Sequence, residues 1–478
     1  MFNLFKIEKK MKKKILLFVC AILCASAMSA QINTPLCFTN VGDADATVKF
    51  GNRTDLKGTE VFNETKIQTS ADAVTWADYT IDDVITLHPG DKVYFRNTLD
   101  NGLNKSGLEN RRFYIPEGEK IAVSGNIMSM VNNATSITWK YCFVLLFTNC
   151  KGLVDASQLV LPATTLQEYC YYYLFQNCSN LVSAPKELPA TTLVDGCYNQ
   201  MFSGCSSLLE SPYIKGKTIQ SAGAMSSMFK NCTSLERITV NFTSWPSSGF
   251  SAWVNNVPNV SSFVFVCPST LEMRYFGDSY VQENWTVSRD MPFELTVNKN
   301  GWASLYYNKA LEIPSGVSAY YASSIVDNKI ELIKVDNDIP ASQGVVVSGN
   351  PGEKYIFDVI ANATTEISGN LFEGVTSKTT CEENQYYVLD GAGTDVLKTP
   401  KFAKYNSTTL NAYKVYFEVQ GSEPGAKIES VFAGDPTGIK SIAPAMSETK
   451  AMYNLQGVRV NQNYNGIVIM NGKKYLVK

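Results

Sequence analysis

The chain has 478 residues, of which 45% are hydrophobic, 18% charged and 12% aromatic, and its formal net charge is −2. A chain of this length and hydrophobicity is not disordered and has room for two to four domains. Nucleic-acid binding is disfavoured, because it requires clustered Lys and Arg side chains facing phosphates, and here 44 acidic residues outnumber 42 basic ones.

The N-terminus has the pattern of a secretory signal peptide. A lysine-rich segment precedes the apolar run 15–23, the small residues Ala25-Ser26-Ala27 fit a cleavage site, and an end at Ala30 before Gln31 fits nearly as well. We therefore predict that residues 1–30 are removed and that the protein is exported, to the cell surface or the extracellular space. Lipidation at Cys20 or Cys24 is the alternative, although neither cysteine has the spacing of a lipobox. No later segment has the roughly 18 apolar residues that a transmembrane helix needs.

Residues 31–138 are predicted to form an N-terminal β-sandwich. Polar and apolar residues alternate in segments 46–50 and 92–96, which indicates strands, and Pro89-Gly90-Asp91 indicates a turn before the second of them. In general plan this domain resembles a carbohydrate-binding sandwich.

An internal repeat follows, and it is the strongest signal in the sequence. A Phe, a Cys and a Leu recur in fixed order, with the phenylalanines 28, 27 and 27 residues apart. A second cysteine lies eight residues before the first in three copies, and Ala224 takes its place in the fourth. The copies are Phe147-Thr-Asn-Cys150-Lys-Gly-Leu153, Phe175-Gln-Asn-Cys178-Ser-Asn-Leu181, Phe202-Ser-Gly-Cys205-Ser-Ser-Leu208 and Phe229-Lys-Asn-Cys232-Thr-Ser-Leu235, and the second cysteines are Cys142, Cys170 and Cys197.

Each copy is predicted to form one coil of a solenoid. Cys197, Met201 and Cys205 recur at i, i+4 and i+8, the spacing of one helix face, and Gly204 suits the end of a helix. The alternation in segment 235–240 indicates a short strand. One coil cannot bury its own Phe, Cys and Leu, so neighbouring coils must stack to make a core.

The repeat cysteines are predicted to be buried thiols rather than disulfides. On a helix, Cys197 and Cys205 would be about 12 Å apart. Equivalent cysteines of neighbouring helices would be about 8–10 Å apart, whereas a disulfide needs Cα atoms within about 7 Å. Zinc is disfavoured too, because the spacing is not that of a zinc site and the chain has a single histidine.

Residues 288–435 are predicted to form a second β-sandwich, with strands at 293–297, 331–335 and 344–347 separated by Gly, Asn and Asp turns. Residues 436–478 are predicted to form a linker and a small C-terminal β segment. This segment resembles the C-terminal sorting segments of secreted Bacteroidetes proteins, and a sheet edge that closes the preceding domain is the alternative. The predicted fold class of the whole chain is therefore α+β multi-domain.

The repeat unit Met/Leu-Phe-x-Asn/Gly-Cys-x-x-Leu resembles the BspA-like leucine-rich repeats of bacterial surface proteins of the Bacteroides and Prevotella type. The resemblance covers residues 139–287, where segments 253–257 and 263–287 look like a closing cap. Four copies make a brief solenoid for this family. The resemblance implies a secreted or cell-surface protein that adheres to host or bacterial surface proteins through its repeats.

No residues are predicted to be catalytic, and no cofactor or metal is expected. His88 is the one histidine and falls at a strand–turn junction, without a nucleophile motif around it. The neighbouring pairs Asp82-Asp83 and Glu382-Glu383 have the pattern of solvated turns rather than of a glycosidase pair. Asp43-Ala-Asp45 lacks the rest of a calcium loop.

The consecutive tyrosines Tyr171, Tyr172 and Tyr173 are the remaining candidates. At least one must face solvent, where it can contact a sugar or a protein partner, although partly buried residues that cover the next coil are the plainer interpretation. The sequence therefore predicts a non-enzymatic binding protein with an extracellular protein partner. The alternative is a glycan-binding accessory protein that uses the N-terminal sandwich and exposed aromatic residues.

Overall fold

A computed structural model describes residues 34–52, 66–99, 103, 111–275, 277–326, 329–383, 386–390, 400–419, 427–433, 440–441, 452–454, 459–460, 466–470 and 473–477. The predicted signal peptide and most of the predicted linker lie outside these residues. The chain forms two compact units, Met1–Phe293 and Glu294–Lys478.

The first unit begins with two sheets, antiparallel except for the pairing of β8 with β9, that face one another across an apolar core. Phe38, Phe50, Phe95 and Phe113 fill this core and contact one another at 4.6–5.7 Å between ring centroids. The sheet orders are β4-β3-β6-β1-β8-β9 and β5-β2-β7. The strands are β1 (Leu36–Asn40), β2 (Ala46–Gly51), β3 (Ile67–Ser70), β4 (Ala77–Asp78), β5 (Val84–Leu87), β6 (Lys92–Asn97), β7 (Arg112–Tyr114), β8 (Ile121–Asn126) and β9 (Leu153–Val160).

The repeat region continues directly from this sandwich. Strand β9 belongs to the first coil and pairs in parallel with β8 of the sandwich. The later coils form a parallel sheet of order β10-β12-β14-β15-β16, beside a parallel pair of β11 and β13. The strands are β10 (Glu187–Leu188), β11 (Thr192–Leu193), β12 (Glu210–Ile214), β13 (Thr218–Ile219), β14 (Arg237–Val240), β15 (Val264–Val266) and β16 (Thr286–Ser288).

The predicted α+β class is wrong, because the part of the chain that the structure describes is nearly all β, with 3% of residues helical and 36% in strands. The helices of the described residues are three short 3₁₀ turns, Ile127–Val131, Ala222–Met225 and Gly277–Ser279. The segment predicted to be helical, 197–205, is instead a run of tight turns, and its equivalents in the other coils are built in the same way, with a 3₁₀ turn at the start of coil 4. We call residues 141–150, 169–178, 196–205 and 223–232 the turn segments of coils 1 to 4.

Left-handed residues explain why the turn segments are not helices. In coil 2, Tyr169, Tyr173 and Asn177 have φ angles of 57°, 59° and 58°. A left-handed residue at every fourth position takes the backbone out of a helical path. The resulting repeat of four residues is close to the helical period of about 3.6 residues. Over one coil the two periods place the same residues inward, so the sequence pattern cannot tell them apart.

The hydrogen bonds of the turn segments alternate between two directions. In coil 2, the Tyr172 amide donates within the coil to the Tyr169 carbonyl at 3.2 Å. The flanking Tyr171 amide donates to the Cys197 carbonyl of coil 3, also at 3.2 Å. Neighbouring coils are thus joined by backbone hydrogen bonds, as parallel strands are.

Two columns of side chains form the core of the coils. The Phe column is a stack in which neighbouring rings of Phe147, Phe175, Phe202 and Phe229 lie 5.2–5.9 Å apart at interplanar angles of 5–17°. In the Cys column the thiols of coils 2 to 4 each donate to the Phe carbonyl of the preceding coil, and Cys150 of coil 1 donates to the Phe113 carbonyl of the sandwich. Sγ–O distances are 3.0 Å for Cys178 to Phe147, 3.1 Å for Cys205 to Phe175 and 3.1 Å for Cys232 to Phe202.

The distance between neighbouring coils differs from the one assumed in predicting that the cysteines cannot form disulfides. Coils joined by backbone hydrogen bonds lie roughly 4.8 Å apart, the strand spacing, and not at a helix packing distance. Equivalent cysteines are therefore near enough for a disulfide, and the distance argument against one is wrong. In the structure the thiols of the repeat are free and fully buried, and those of Cys178, Cys205 and Cys232 are engaged with carbonyl oxygens.

The second unit is dominated by one nine-stranded sheet that is nearly closed like a barrel, in place of the predicted sandwich. Its order is β18-β23-β20-β21-β32-β29-β28-β31-β26. The two ends of the sheet approach each other, because the Tyr306 amide donates to the Tyr413 carbonyl at 3.3 Å. Its core includes Trp302, Phe402 and Phe417.

Shorter strands complete the second unit. Small sheets of order β22-β19-β25, β17-β24 and β27-β30 flank the large one. The strands are β17 (Phe293–Thr296), β18 (Trp302–Tyr306), β19 (Ala310–Glu312), β20 (Ser318–Val326), β21 (Lys329–Val335), β22 (Asp338–Ile339), β23 (Gly344–Ser348), β24 (Lys354–Phe357), β25 (Val359–Ile360), β26 (Glu373–Gly374), β27 (Thr379–Thr380), β28 (Tyr387–Leu389), β29 (Lys401–Lys404), β30 (Thr409–Leu410), β31 (Val415–Phe417) and β32 (Lys427–Phe432).

The C-terminal segment forms a sheet of its own, of order β33-β37-β36-β34-β35. Its strands are β33 (Lys440–Ser441), β34 (Met452–Asn454), β35 (Arg459–Val460), β36 (Gly466–Met470) and β37 (Lys473–Val477). Across the residues that the structure describes, no helix has the length and apolar character needed to span a membrane.

Candidate functional site

The charged residues considered from the sequence do not converge on a reactive centre. His88 lies in an exposed turn, where its Nδ1 is 2.8 Å from Asp45 Oδ1, and this contact raises the pKa of His88. Asp82 pairs with Lys49 at 3.4 Å. Glu382 and Glu383 are both exposed. Within the described ranges, no three His, Cys, Asp or Glu side chains are placed to hold a metal ion.

The repeat thiols are poor candidates for nucleophiles. Burial raises the pKa of Cys150 to about 12, and it raises the pKa of Cys170 to about 12 as well. Since the thiolate is the reactive form of cysteine, these side chains stay protonated and unreactive near neutral pH.

A group of tyrosines on the outer side of the turn segments is the most distinctive feature of the coils. Of the three consecutive tyrosines, Tyr171 is buried, while Tyr172 and Tyr173 are partly exposed. Tyr141 of coil 1 and Tyr169 of coil 2 are also partly exposed and lie beside them. We call Tyr141, Tyr169, Tyr172 and Tyr173 the tyrosine surface.

The four rings of the tyrosine surface contact one another. Tyr141 and Tyr169 stack at 5.1 Å between centroids, with 11° between their planes. Tyr172 and Tyr173 stack at 3.7 Å, and the edge of Tyr172 meets Tyr169 at 5.6 Å. Adjacent residues of a strand or helix would point apart, but the left-handed turn at Tyr173 lets it lie beside Tyr172.

Glycine in the next coil makes room for this arrangement. Gly196 of coil 3 has a φ angle of 61°, and a Cβ atom there would lie 2.1 Å from the Tyr169 ring. Tyr169 therefore packs directly on the backbone of Gly196, with Tyr141 on its other side. Any larger residue at position 196 would displace the ring.

Three of the four tyrosines adopt a backbone conformation that is unfavourable for them. The φ angles of Tyr141, Tyr169 and Tyr173 are 58°, 57° and 59°. The left-handed conformation costs an L-residue roughly 1–2 kcal/mol, and it is rare for bulky side chains. At the position equivalent to Tyr141 and Tyr169, coil 3 has Gly196 and coil 4 has Gly223. At the position equivalent to Tyr173, coil 1 has the buried Leu145, coil 3 has Gln200 and coil 4 has Ser227.

A second column of left-handed residues in the same coils is occupied by residue types that tolerate this conformation. It holds Asn149, Asn177, Gly204 and Asn231, with φ angles of 58°, 58°, 80° and 62°. Asn and Gly are the residues that tolerate this conformation best. The fold therefore accepts Asn or Gly in such corners, and tyrosine at the first two coils is not required by the backbone.

Polar groups border the tyrosine surface. The Tyr169 hydroxyl donates to Asp195 Oδ2 at 2.6 Å, and the Ser221 hydroxyl donates to Asp195 Oδ1 at 2.5 Å. The hydrogen bond from Ser221, followed by that from Tyr169, lowers the pKa of Asp195. Gln200 Nε2 donates to the Tyr173 hydroxyl at 3.0 Å. The rings are thus held in place by defined polar contacts.

The sequence reasoning found two of the four tyrosines and missed the others. Tyr141 and Tyr169 each stand one residue before a repeat cysteine, so aligning the copies on Cys142 and Cys170 could have found them. The role of Asp195 depends on contacts between coils 2, 3 and 4, which the repeat pattern does not encode.

Comparisons with models of protein families, with curated proteins and with solved structures found no match to this chain.

Proposed function

We propose that the chain is a non-enzymatic binding protein, exported to the cell surface or the extracellular space, which holds a protein partner on the tyrosine surface. The observation that carries this proposal is the left-handed backbone of Tyr141, Tyr169 and Tyr173. Unfavourable backbone conformations persist where they serve a function, and in coil 3 the corner equivalent to Tyr169 is held by Gly196, which has no such cost. At the corner of Tyr173 the other coils hold Leu145, Gln200 and Ser227, which are left-handed as well.

The chemistry of the tyrosine surface suits a protein partner. Tyrosine offers a large contact area with only two side-chain torsions to immobilise, and it is enriched at the centres of protein interfaces. The rings are fixed in advance by stacking on one another and by the hydrogen bonds of Tyr169 and Tyr173. Such preorganisation lowers the entropic cost of binding. The resemblance of the repeats to BspA-like surface proteins favours the same function.

A glycan-binding role through the N-terminal sandwich has weaker support. The partly exposed Trp76 is the natural stacking residue there, but Arg96 lies over its ring at 4.0 Å from the centroid. One face of the indole is therefore already occupied.

The test compares binding of the full chain to immobilised extracellular-matrix proteins and to a glycan array. The variant Tyr172→Ser/Tyr173→Asn removes half of the tyrosine surface, and Tyr275→Ser removes a 45% exposed tyrosine elsewhere as the control. We expect saturable binding to a protein, weakened at least about tenfold by the double variant and unchanged by the control. Undiminished binding by the double variant, or saturable binding to sugars alone, would refute the proposal.

An enzymatic role has its own test. The chain is incubated with a panel of polysaccharides, and any hydrolysis is followed in variants with single Asp or Glu substitutions. Hydrolysis abolished by one such substitution would show that the non-enzymatic assignment is wrong.

A further inference from the structure

We infer that the tyrosine surface recognises an arginine-containing segment of its protein partner, with Asp195 as the anionic contact. This inference rests on the proposed function and adds the chemical class of the group that is bound. Its starting point is a carboxylate that borders the aromatic rings and has no cation beside it.

Asp195 carries a charge that the described residues do not neutralise. Its contacts are two hydroxyl groups and the backbone N–H of Gly196, and no Lys or Arg side chain of the described ranges pairs with it. The hydrogen bonds favour its ionised form. The other carboxylate at this border, Glu168, is paired with Lys140 at 2.5 Å.

The Tyr172 ring, which meets Tyr169, and the Tyr173 ring stacked on it attract the same kind of group. The face of a tyrosine ring is electron-rich and attracts cations, at about 0.5–1 kcal/mol for an exposed site. Tyr172 and Tyr173 stack on each other, so each ring has a second face turned away from its partner. The Tyr169 hydroxyl donates to Asp195, which joins the aromatic and anionic parts of the surface in one network.

Arginine fits this combination better than lysine. Its planar guanidinium can stack on an aromatic face while its N–H groups donate to a carboxylate, whereas the lysine ammonium is a compact and strongly hydrated charge. An acidic partner would be repelled by Asp195. A neutral sugar could accept or donate hydrogen bonds there but would leave the charge uncompensated.

The experiment uses a fluorescent peptide of alternating Gly and Arg and a matched peptide with citrulline in place of Arg, which keeps the shape and removes the charge. Binding to the full chain is followed by fluorescence anisotropy. We expect the Arg peptide to bind at least about tenfold more tightly than the citrulline peptide, and less tightly as salt is raised. Equal binding of the two peptides would overturn the inference.

Variants separate this site from general attraction to an acidic protein. Asp195→Asn keeps a hydrogen-bond acceptor for Tyr169 and is expected to weaken Arg-peptide binding at least about fivefold. Asp195→Glu keeps the charge and is expected to retain most of the binding. Glu236→Gln removes an exposed charge on the strand side and is expected to change binding less than twofold. Equal losses in Asp195→Asn and Glu236→Gln would show that the attraction is not specific to this site.

The same variants distinguish failure of this inference from failure of the proposed function. If the double tyrosine variant loses capture of the immobilised protein while Asp195→Asn retains it, the surface is a binding site but does not recognise a cation. If neither variant loses capture, both proposals are wrong.

Discussion

The stacked coils and the nine-stranded sheet solve the same problem, burying an apolar core under β structure, in opposite ways. In the coils each residue meets its equivalent 27 or 28 positions along the chain, as Phe175 meets Phe147 and Phe202. In the sheet, hairpin pairs such as β20 and β21 are combined with pairs as distant as β21 and β32, whose partners lie about 100 residues apart. The coils repeat one set of contacts, whereas each pair of neighbouring strands in the sheet has contacts of its own.

This difference decides what a sequence discloses about each region. A repeat shows which residues are neighbours, because equivalent positions stack, but it leaves the local backbone open. Alternation of polar and apolar residues shows that a segment is a strand but leaves its partner open. The wrong predictions follow this division, since they concern the backbone of the coils, expected to be helical, and the sheet of the second unit, expected to be a sandwich.

The largest expected effect comes from emptying one core site in each region. Phe202→Ala should lower the free energy of unfolding by roughly 3–5 kcal/mol, and Phe402→Ala by a similar amount, since both rings are buried. The consequences should spread differently, because each coil is supported by its two neighbours. Hydrogen exchange read by mass spectrometry should show lost protection in coils 2 to 4 for Phe202→Ala and within the second unit for Phe402→Ala. A melting temperature unchanged by Phe202→Ala would mean that the Phe stack is not a core.

The next largest effect is expected from alkaline pH, which should lower the stability of the coils more than that of the second unit. In the folded coils burial raises the pKa values of Cys150 and Cys170 from 9.0 to about 12, so the unfolded chain loses these protons first. Stability is therefore fully present below pH 9 and falls as the pH rises towards 12. Two thiols give a loss of about 3 kcal/mol per pH unit in this window.

The measurement is urea unfolding of the full chain at several pH values between about 8 and 10.5. The variant Cys150→Ala/Cys170→Ala should be less stable at neutral pH but should lose less stability per pH unit. The described part of the second unit has one cysteine, Cys381, which is only partly buried. If coil stability were flat across this range, the burial of the thiols would be contradicted.

Substituting a glycine that packs against the tyrosine surface should have a smaller effect on stability. Gly196→Ala should cost about 2 kcal/mol, because the left-handed backbone is strained by a Cβ atom that would also meet the Tyr169 ring at 2.1 Å. In the second unit, Gly352→Ala has a similar φ of 77° but nothing within 4 Å, so it should cost only about 1 kcal/mol. Gly196→Ala should also weaken partner binding. Equal costs at the two positions would show that Tyr169 does not pack on Gly196.

The positions of several strands could be predicted from the residues, and the errors have physical causes. The strand segments at Lys92–Asn97 and Lys329–Val335 were marked by their alternation and lie where expected. The turn segments were taken for helices because Cys197, Met201 and Cys205 recur every four residues, and a left-handed corner at Gln200 has no strong signature in a single residue. Tyr172 and Tyr173 could be predicted from the sequence as candidate binding residues, but the stacking of their rings depends on the left-handed backbone of Tyr173.

The proposed function requires that the coils hold tyrosines in unfavourable backbone positions for the sake of binding. The most direct measurement records the melting temperature and the capture of an immobilised protein for the same variant, Tyr172→Ser/Tyr173→Asn. Relief of the left-handed strain, roughly 1 kcal/mol, should offset the lost ring stacking of similar size, so the melting temperature should shift by less than about 3 °C. Binding should weaken at least about tenfold. A melting temperature that falls well beyond this range while binding is retained would show that these tyrosines serve the fold and not a partner.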